Sequence, residues 1–322
     1  MHLMRLQKRI VVETGIAGED RLGIAADVYW PTALRDIPRV LFCQPGGALD
    51  KAYFNLELED GDNPFNFAAQ MTAHGCVVIA LDHLGTGASD RPRDGFALTP
   101  AVLTAAMANA VAGLCAQLRA GLLDAALPAL PEFIAVGVGH SMGAMLTAIQ
   151  QARHASFAAV ALFGFGTRGL PDYLSARARA YIDDAAGAQA HIVELAREKG
   201  DDPYPELVIT AGNARSVYGG GADRRAVAAL ARARTNLLAV PGLFSVIPGS
   251  TEPDCARIDV PVFLAVGDRD MAGAPHSIPA SFSGSREVNL LVLPETGHSH
   301  FLFASCALLC ARLAHWVDGL SG

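Results

Sequence analysis

Phe133-Ile134-Ala135-Val136-Gly137-Val138-Gly139-His140-Ser141-Met142-Gly143 is the stretch on which the reading of this chain turns. Phe133 to Val138 is a short apolar run with an isoleucine and two valines, preceded by Pro131 and too short for a helix. It reads as a buried parallel strand. Gly139 to Gly143 has the form G-x-S-x-G, and Ala144 to Ala152 beyond it is rich in helix formers with neither Gly nor Pro. A pentapeptide of that form between strand and helix predicts a sharp turn presenting a serine hydroxyl. The spacing has a steric reason. A nucleophile on a strained backbone needs neighbours two residues away on each side that do not collide, and Gly139 and Gly143 carry no side chains. The turn also sets Ser141 at a helix start, where unpaired N–H groups and the helix dipole favour developing negative charge.

Working outward, Arg9 to Glu13 and Arg21 to Trp30 predict an antiparallel edge hairpin, with Leu22, Ile24, Ala26, Val28 and Trp30 on one face. Arg39 to Cys43 predicts a continuously apolar strand that runs into Gln44-Pro45-Gly46-Gly47. Pro64 suits the first position of a helix that Gly75 ends, and Cys76 to Leu81 reads as a fourth strand. Thr99-Pro100 opens a long helix with Leu103, Met107, Val111, Leu114 and Leu118 at helical spacing. Ala158 to Phe163, Val262 to Val266 and Val288 to Leu293 are further strands, and a last helix covers about Ser305 to Asp318, with Gly319 at its end.

From 168 to 255 the alternation stops. That segment is rich in Ala and Arg, carries Tyr173, Tyr181, Tyr204 and Tyr218, a Gly219-Gly220-Gly221 run, and an apolar patch from Leu237 to Ile247. It predicts a mostly helical insertion. The expected architecture is α/β: an eight-stranded, mostly parallel sheet with helices on both faces, built from 1–167 and 256–322, with a helical cap of 168–255 inserted after strand 6. Ligands bind such sheets beyond the carboxyl ends of the strands. Gly46-Gly47, Ser141, Gly267-Asp268-Arg269-Asp270 and Gly297-His298 all follow predicted parallel strands, so they converge on one edge.

Half of the 322 residues are hydrophobic, the net charge is −7, and no basic block appears. Nucleic acid and anionic membrane are therefore poor partners. No apolar h-region follows Met1, and no uncharged apolar run is read as reaching the length of a membrane span. The six cysteines (Cys43, Cys76, Cys115, Cys255, Cys306 and Cys310) make no C-x-x-C pair. They read as reduced, packed thiols of a cytoplasmic protein, and no histidine pair completes a zinc site with Cys306 and Cys310. Gly85-x-Gly87 is not a dinucleotide loop, because position 90 is Asp90.

With these residues in hand, the chain resembles an α/β-hydrolase over nearly all of its length: eight strands, the turn at Ser141, an insertion after strand 6, and the order Ser, acid, His. Asp82-His83-Leu84-Gly85-Thr86-Gly87-Ala88-Ser89 is similar to the D-x-x-G-x-G-x-S stretch of that family. Two departures stand out: Pro45-Gly46 replaces the family's His-Gly, and Ala144 stands where a second glycine often follows the turn. The resemblance implies Ser141 as nucleophile, His298 as base and Asp270 as the orienting acid. His300 and Asp268, each two residues away, are the rivals. An imidazole is the base a serine needs near neutral pH, and a carboxylate must orient it. His140, at the variable turn position, reads as a packed neighbour of the nucleophile. The oxyanion donors implied are the N–H groups of Met142 and Gly47, with Gly46 and Ala48 adjacent.

A serine at this turn points to acyl transfer to water, on an ester or lactone first. Thioesters, amides, carbon–carbon cleavage and a cofactor-free haloperoxidase or perhydrolase share the machinery, and a non-catalytic binding protein shares the fold. Dehalogenation and epoxide opening are disfavoured, because a serine ether could not be hydrolysed. No cofactor and no metal are expected. The expected partner is a small apolar or aromatic substrate, with a homodimer left open.

Overall fold

The computed structural model describes residues 4–208 and 220–320, so Tyr218 and Gly219 lie outside the described residues. Eight strands form one sheet: β1 (Met4–Glu13), β2 (Arg21–Trp30), β3 (Arg39–Gln44), β4 (Val77–Leu81), β5 (Ile134–His140), β6 (Ala159–Phe163), β7 (Val262–Gly267) and β8 (Val288–Leu293). Their order is β1-β2-β4-β3-β5-β6-β7-β8. β1 and β2 pair antiparallel, as does β2 with β4, and every later pair is parallel.

Side chains alternate across a strand, so each strand of this sheet feeds two cores. Val40 and Phe42 of β3 join the core under α2 (Pro100–Ala120) and α3 (Met142–His154). Leu41 and Cys43 join the core under α1 (Phe67–Ala73) and α8 (Cys306–Asp318). This double covering explains why β2 departs from the hairpin pattern. Its residues from Leu22 to Trp30 are all buried, because β4 and α1 pack against it, and only β1 is left at the edge with alternating exposure. Asp27, which the pattern would place in water, is buried and takes a hydrogen bond from Arg5 Nη2 at 2.7 Å.

Two local expectations shift. α1 begins at Phe67 rather than Pro64, because the Asn66 side chain accepts the Ala69 N–H at 2.8 Å and so fixes the cap. α2 has 21 residues and a mean hydropathy of 1.6, long and apolar enough by length and composition to cross a membrane. The sequence reading had found no such run. Its Leu103, Met107, Val111, Leu114 and Leu118 stripe is buried within the fold. α2 ends at Gly121, whose φ of 66° supplies the left-handed cap.

Between β6 and β7 the chain forms two 3₁₀ turns, then α4 (Ala185–Lys199), α5 (Arg224–Arg232), α6 (Ala239–Phe244) and the single turn α7 (Glu252–Cys255). Ile192, Leu195 and Ala196 of α4 join the same core as Leu243 and Phe244 of α6. Arg153 at the end of α3 holds Asp254 of α7 with two hydrogen bonds of 2.9 and 2.7 Å. At the far end of the chain, Arg39 clamps the last helix by donating to the carbonyls of Val317, Asp318 and Leu320. All six cysteines are buried free thiols; Cys43 lies in β3 and Cys76 just before β4.

Candidate active site

β5 ends at His140 and α3 begins at Met142, leaving Ser141 as the single residue of the turn, at φ 53° and ψ −119°. That is a left-handed conformation that non-glycine residues rarely hold, and it persists only where the surroundings enforce it. Here the Ser141 N–H donates to Phe163 O at 2.8 Å, and the Met145 N–H donates to Ser141 O at 3.0 Å. The two glycines are needed for close approach. A Cβ on Gly139 would meet the Gly143 carbonyl and the Ala144 backbone, and one on Gly143 would enter the carbonyl oxygens of Gln44 and Pro45. Those atoms are backbone and cannot swing aside. Gly143→Ala is therefore expected to cost about 3 kcal/mol, read as a lowered urea midpoint.

β7 and β8 deliver the other groups. The Ser141 hydroxyl donates to His298 Nε2 at 2.8 Å, and His298 Nδ1–H donates to Asp270 Oδ1 at 2.7 Å. A carboxylate only accepts, which fixes this tautomer and leaves Nε2 free to take the serine proton. Asp270 Oδ1 also accepts the Ala272 N–H at 2.9 Å, and Oδ2 accepts from His300 Nε2 at 2.9 Å. Burial alone would push the Asp270 carboxyl up. The adjacent His298 and the hydrogen bonds from both histidines outweigh that and hold it well below the usual carboxylate range. Asp270 is thus a buried anion throughout ordinary pH.

The rivals are placed elsewhere. Asp268 accepts the N–H groups of Glu295 and Thr296 at 2.9 and 3.0 Å, which hold its carboxyl below the usual range and brace the loop carrying His298. His300 is fully buried against Asp270 and does not reach Ser141. His140 does more than pack: its Nε2–H donates to the His298 carbonyl at 2.8 Å, and its ring lies 4.7 Å from that of Tyr53.

Two residues that the sequence reading passed over support the loop at Gly46-Gly47. His83 Nε2–H donates to Pro45 O at 2.9 Å. The Asp82 carboxylate ties that loop to its own, accepting from Lys51 N at 2.7 Å, Lys51 Nζ at 2.9 Å and Ala88 N at 2.8 Å. A signal existed in the D-x-x-G-x-G-x-S stretch, but the partner of Asp82 across the sheet edge is not written there. Gly47 lies beside the turn: a Cβ on it would be 3.8 Å from Met142 Cβ. The N–H groups of Met142 and Gly47 make no hydrogen bond among the described residues.

Burial lowers the pKa of His140 well below the ordinary imidazole value, helped by the nearby His298 and His300, and burial likewise lowers that of His83. Between neutrality and pH 5 the unfolded chain takes up protons at these rings that the folded chain refuses. Stability therefore falls as pH drops below about 6.5. Urea midpoints at pH 7 and pH 5 measure the loss, and His140→Gln, which stays neutral, should lessen it.

Ser141 and His298 open into a cavity of about 630 Å³. Its walls include Met142, Met145 and Phe165 from the sheet side and Leu237, Leu243 and Val246 from the 168–255 segment. Lys199, Asp201, Asp202 and Arg234, all exposed, line its outer end. Of the described aromatics between 168 and 255, Tyr173 lines the cavity. Phe244 is buried in the core, Tyr181 packs on His191, and the Tyr204 hydroxyl donates to Pro92 O at 3.1 Å. Among the described residues no group of His, Cys, Asp or Glu has the arrangement to hold a metal ion.

A sequence model of the alpha/beta hydrolase family matches residues 40–311, from the start of β3 into the last helix. The chain belongs to that family. This alpha/beta hydrolase matches no curated protein sequence. Solved structures share its fold at low identity. A thermophilic esterase from Thermogutta terrifontis is 17% identical, with 97% of each chain covered and a TM-score of 0.56. Rv0554 from Mycobacterium tuberculosis is 16% identical, covering 97% of this alpha/beta hydrolase and 100% of that chain, with a TM-score of 0.61. A bromoperoxidase from Bacillus anthracis is 11% identical, covering 97% and 100%, with a TM-score of 0.57.

Proposed function

We propose that the protein is a serine hydrolase that cleaves a carboxylic ester or lactone of an apolar substrate through an acyl-enzyme on Ser141. The observation that carries this reading is the unbroken hydrogen-bonded line from the Ser141 hydroxyl through His298 to Asp270. As Ser141 attacks the carbonyl carbon, its proton passes to His298 Nε2, and the buried Asp270 anion stabilises the imidazolium. The carbonyl oxygen becomes an oxyanion, and the N–H groups of Met142 and Gly47 are the donors assigned to it. His298 then gives its proton to the departing alcohol oxygen. A water molecule, deprotonated by the same nitrogen, releases the acid and restores the hydroxyl.

Segment 168–255 acts in this reading as a cap, since Leu237, Leu243 and Val246 close the cavity over Ser141. The aliphatic and thioether walls suit an apolar acyl or alkyl group better than a charged one. The test is a panel of p-nitrophenyl esters of graded chain length with aryl lactones, alongside labelling by a fluorophosphonate. Turnover that favours apolar acyl groups, with label on Ser141, supports the proposal. Absence of label on the folded chain ends it. The bromoperoxidase with the same fold makes one control worthwhile: peroxide-dependent halogenation outpacing ester hydrolysis would favour the haloperoxidase reading instead.

A further inference from the structure

The second oxygen of Asp270 has a dedicated partner. Oδ1 already receives two donors, His298 Nδ1–H and the Ala272 N–H, whereas Oδ2 receives His300 Nε2–H at 2.9 Å. Both side chains of the Asp270–His300 pair are shielded from solvent. Because a carboxylate offers no proton, His300 must donate from Nε2. A carboxylate held by one oxygen alone can swing about its last bond and lose its aim at His298; held by both, it cannot.

We propose that His300 is a positioning residue: by holding the outer oxygen of Asp270 it keeps the inner one aimed at His298. The inference rests on the reading of Ser141 as nucleophile and His298 as its base. His300 itself touches no substrate, since it lies outside the cavity walls. Its ring is bounded by His140 from the turn, with centroids 5.9 Å apart, by Phe163 of β6 at 6.4 Å, and by the Asp270 carboxylate. The adjacent aromatic cluster adds Phe301, stacked 4.7 Å from Tyr53, with Cys306 buried in the same core. The titratable groups around His300 are thus Asp270, His298, His140, Tyr53 and Cys306, and Asp270 is the one it hydrogen-bonds.

The effect follows from alignment. Without the donor at Oδ2, Asp270 is held through Oδ1 alone and the ring of His298 loses its fixed direction towards the Ser141 hydroxyl. The chemical step slows, with little change in substrate binding.

The experiment compares wild type with His300→Leu, which removes the donor, and His300→Gln, whose amide N–H₂ can reach the place of Nε2. The readouts are the rate of fluorophosphonate labelling at Ser141 and the kinetics of p-nitrophenyl ester hydrolysis. We expect labelling and kcat to fall about 10–100-fold in the leucine variant, with KM within about twofold. The glutamine variant should recover to within about threefold of wild type. His300→Met supplies a second donor-free side chain in case leucine prevents folding. A folded donor-free variant that labels and turns over at the wild-type rate overturns the role of His300. So does a folded glutamine variant as slow as the leucine one. A wild-type chain that takes no label strikes instead at the nucleophile reading, so the two failures are told apart.

Discussion

Ser141→Ala is expected to lower kcat for p-nitrophenyl ester hydrolysis by roughly 10⁵–10⁶-fold while leaving KM within about twofold. The hydroxyl is the only group at the turn aimed at His298 Nε2, at 2.8 Å, so its removal takes away the bond-forming atom and leaves the imidazole without a task. Residual turnover should come from the oxyanion donors and from binding alone. The fold should hold, because the turn is fixed by the Ser141 N–H to Phe163 O and by the glycines at 139 and 143 rather than by the hydroxyl. The measurement is steady-state kinetics with circular dichroism on the same preparation. Unchanged turnover in a folded Ser141→Ala chain removes the mechanism.

Asp270→Asn is expected to cost about 10⁴-fold in kcat, for a reason specific to this site. Three donors converge on the carboxylate: His298 Nδ1–H, His300 Nε2–H and the Ala272 N–H. An asparagine has one acceptor oxygen and one donor N–H₂. If its oxygen serves His298 and Ala272, its N–H₂ faces the N–H of His300; if it flips, the clash moves to His298 and pushes that ring into the wrong tautomer. Either way a ring is forced into its other tautomer or two buried donors oppose each other, so stability falls together with rate. Asp270→Glu keeps the charge and both oxygens and should lose less, although its longer side chain shifts the aim. Comparing kcat and urea midpoints across the two variants separates charge from geometry.

What could be read from the sequence was what is local. The β5 strand, the turn at Ser141 and α3 announce themselves within one contiguous run, because the strain and the close approach both demand glycine at 139 and 143. Asp270 and His298 were legible as residues following strands, and parallel pairing of β7 with β8 carries both to the same edge. The parts missed depend on what packs against what. Nothing in Gly297-His298-Ser299-His300 says that the second ring turns inward to the far oxygen of Asp270. The start of α1 was misplaced because Pro64 and Asn66 both signal a beginning, and only the bond from the Ala69 N–H decides between them. No uncharged apolar run was read as long enough for a bilayer, yet α2 is long and apolar enough by length and composition, and only the fold shows that its apolar stripe is covered by protein.

The place of β8 at the outer margin of the sheet bears on how the protein is made. A ribosome releases the Ser141 turn long before the segment that brings His298, and the strand carrying that segment can dock only on a finished β7. On the proposed mechanism, the emerging polypeptide therefore displays Ser141 before the base assigned to it has been made. The order of the strands thus puts the last of the proposed catalytic groups just after the last strand to be added to the sheet.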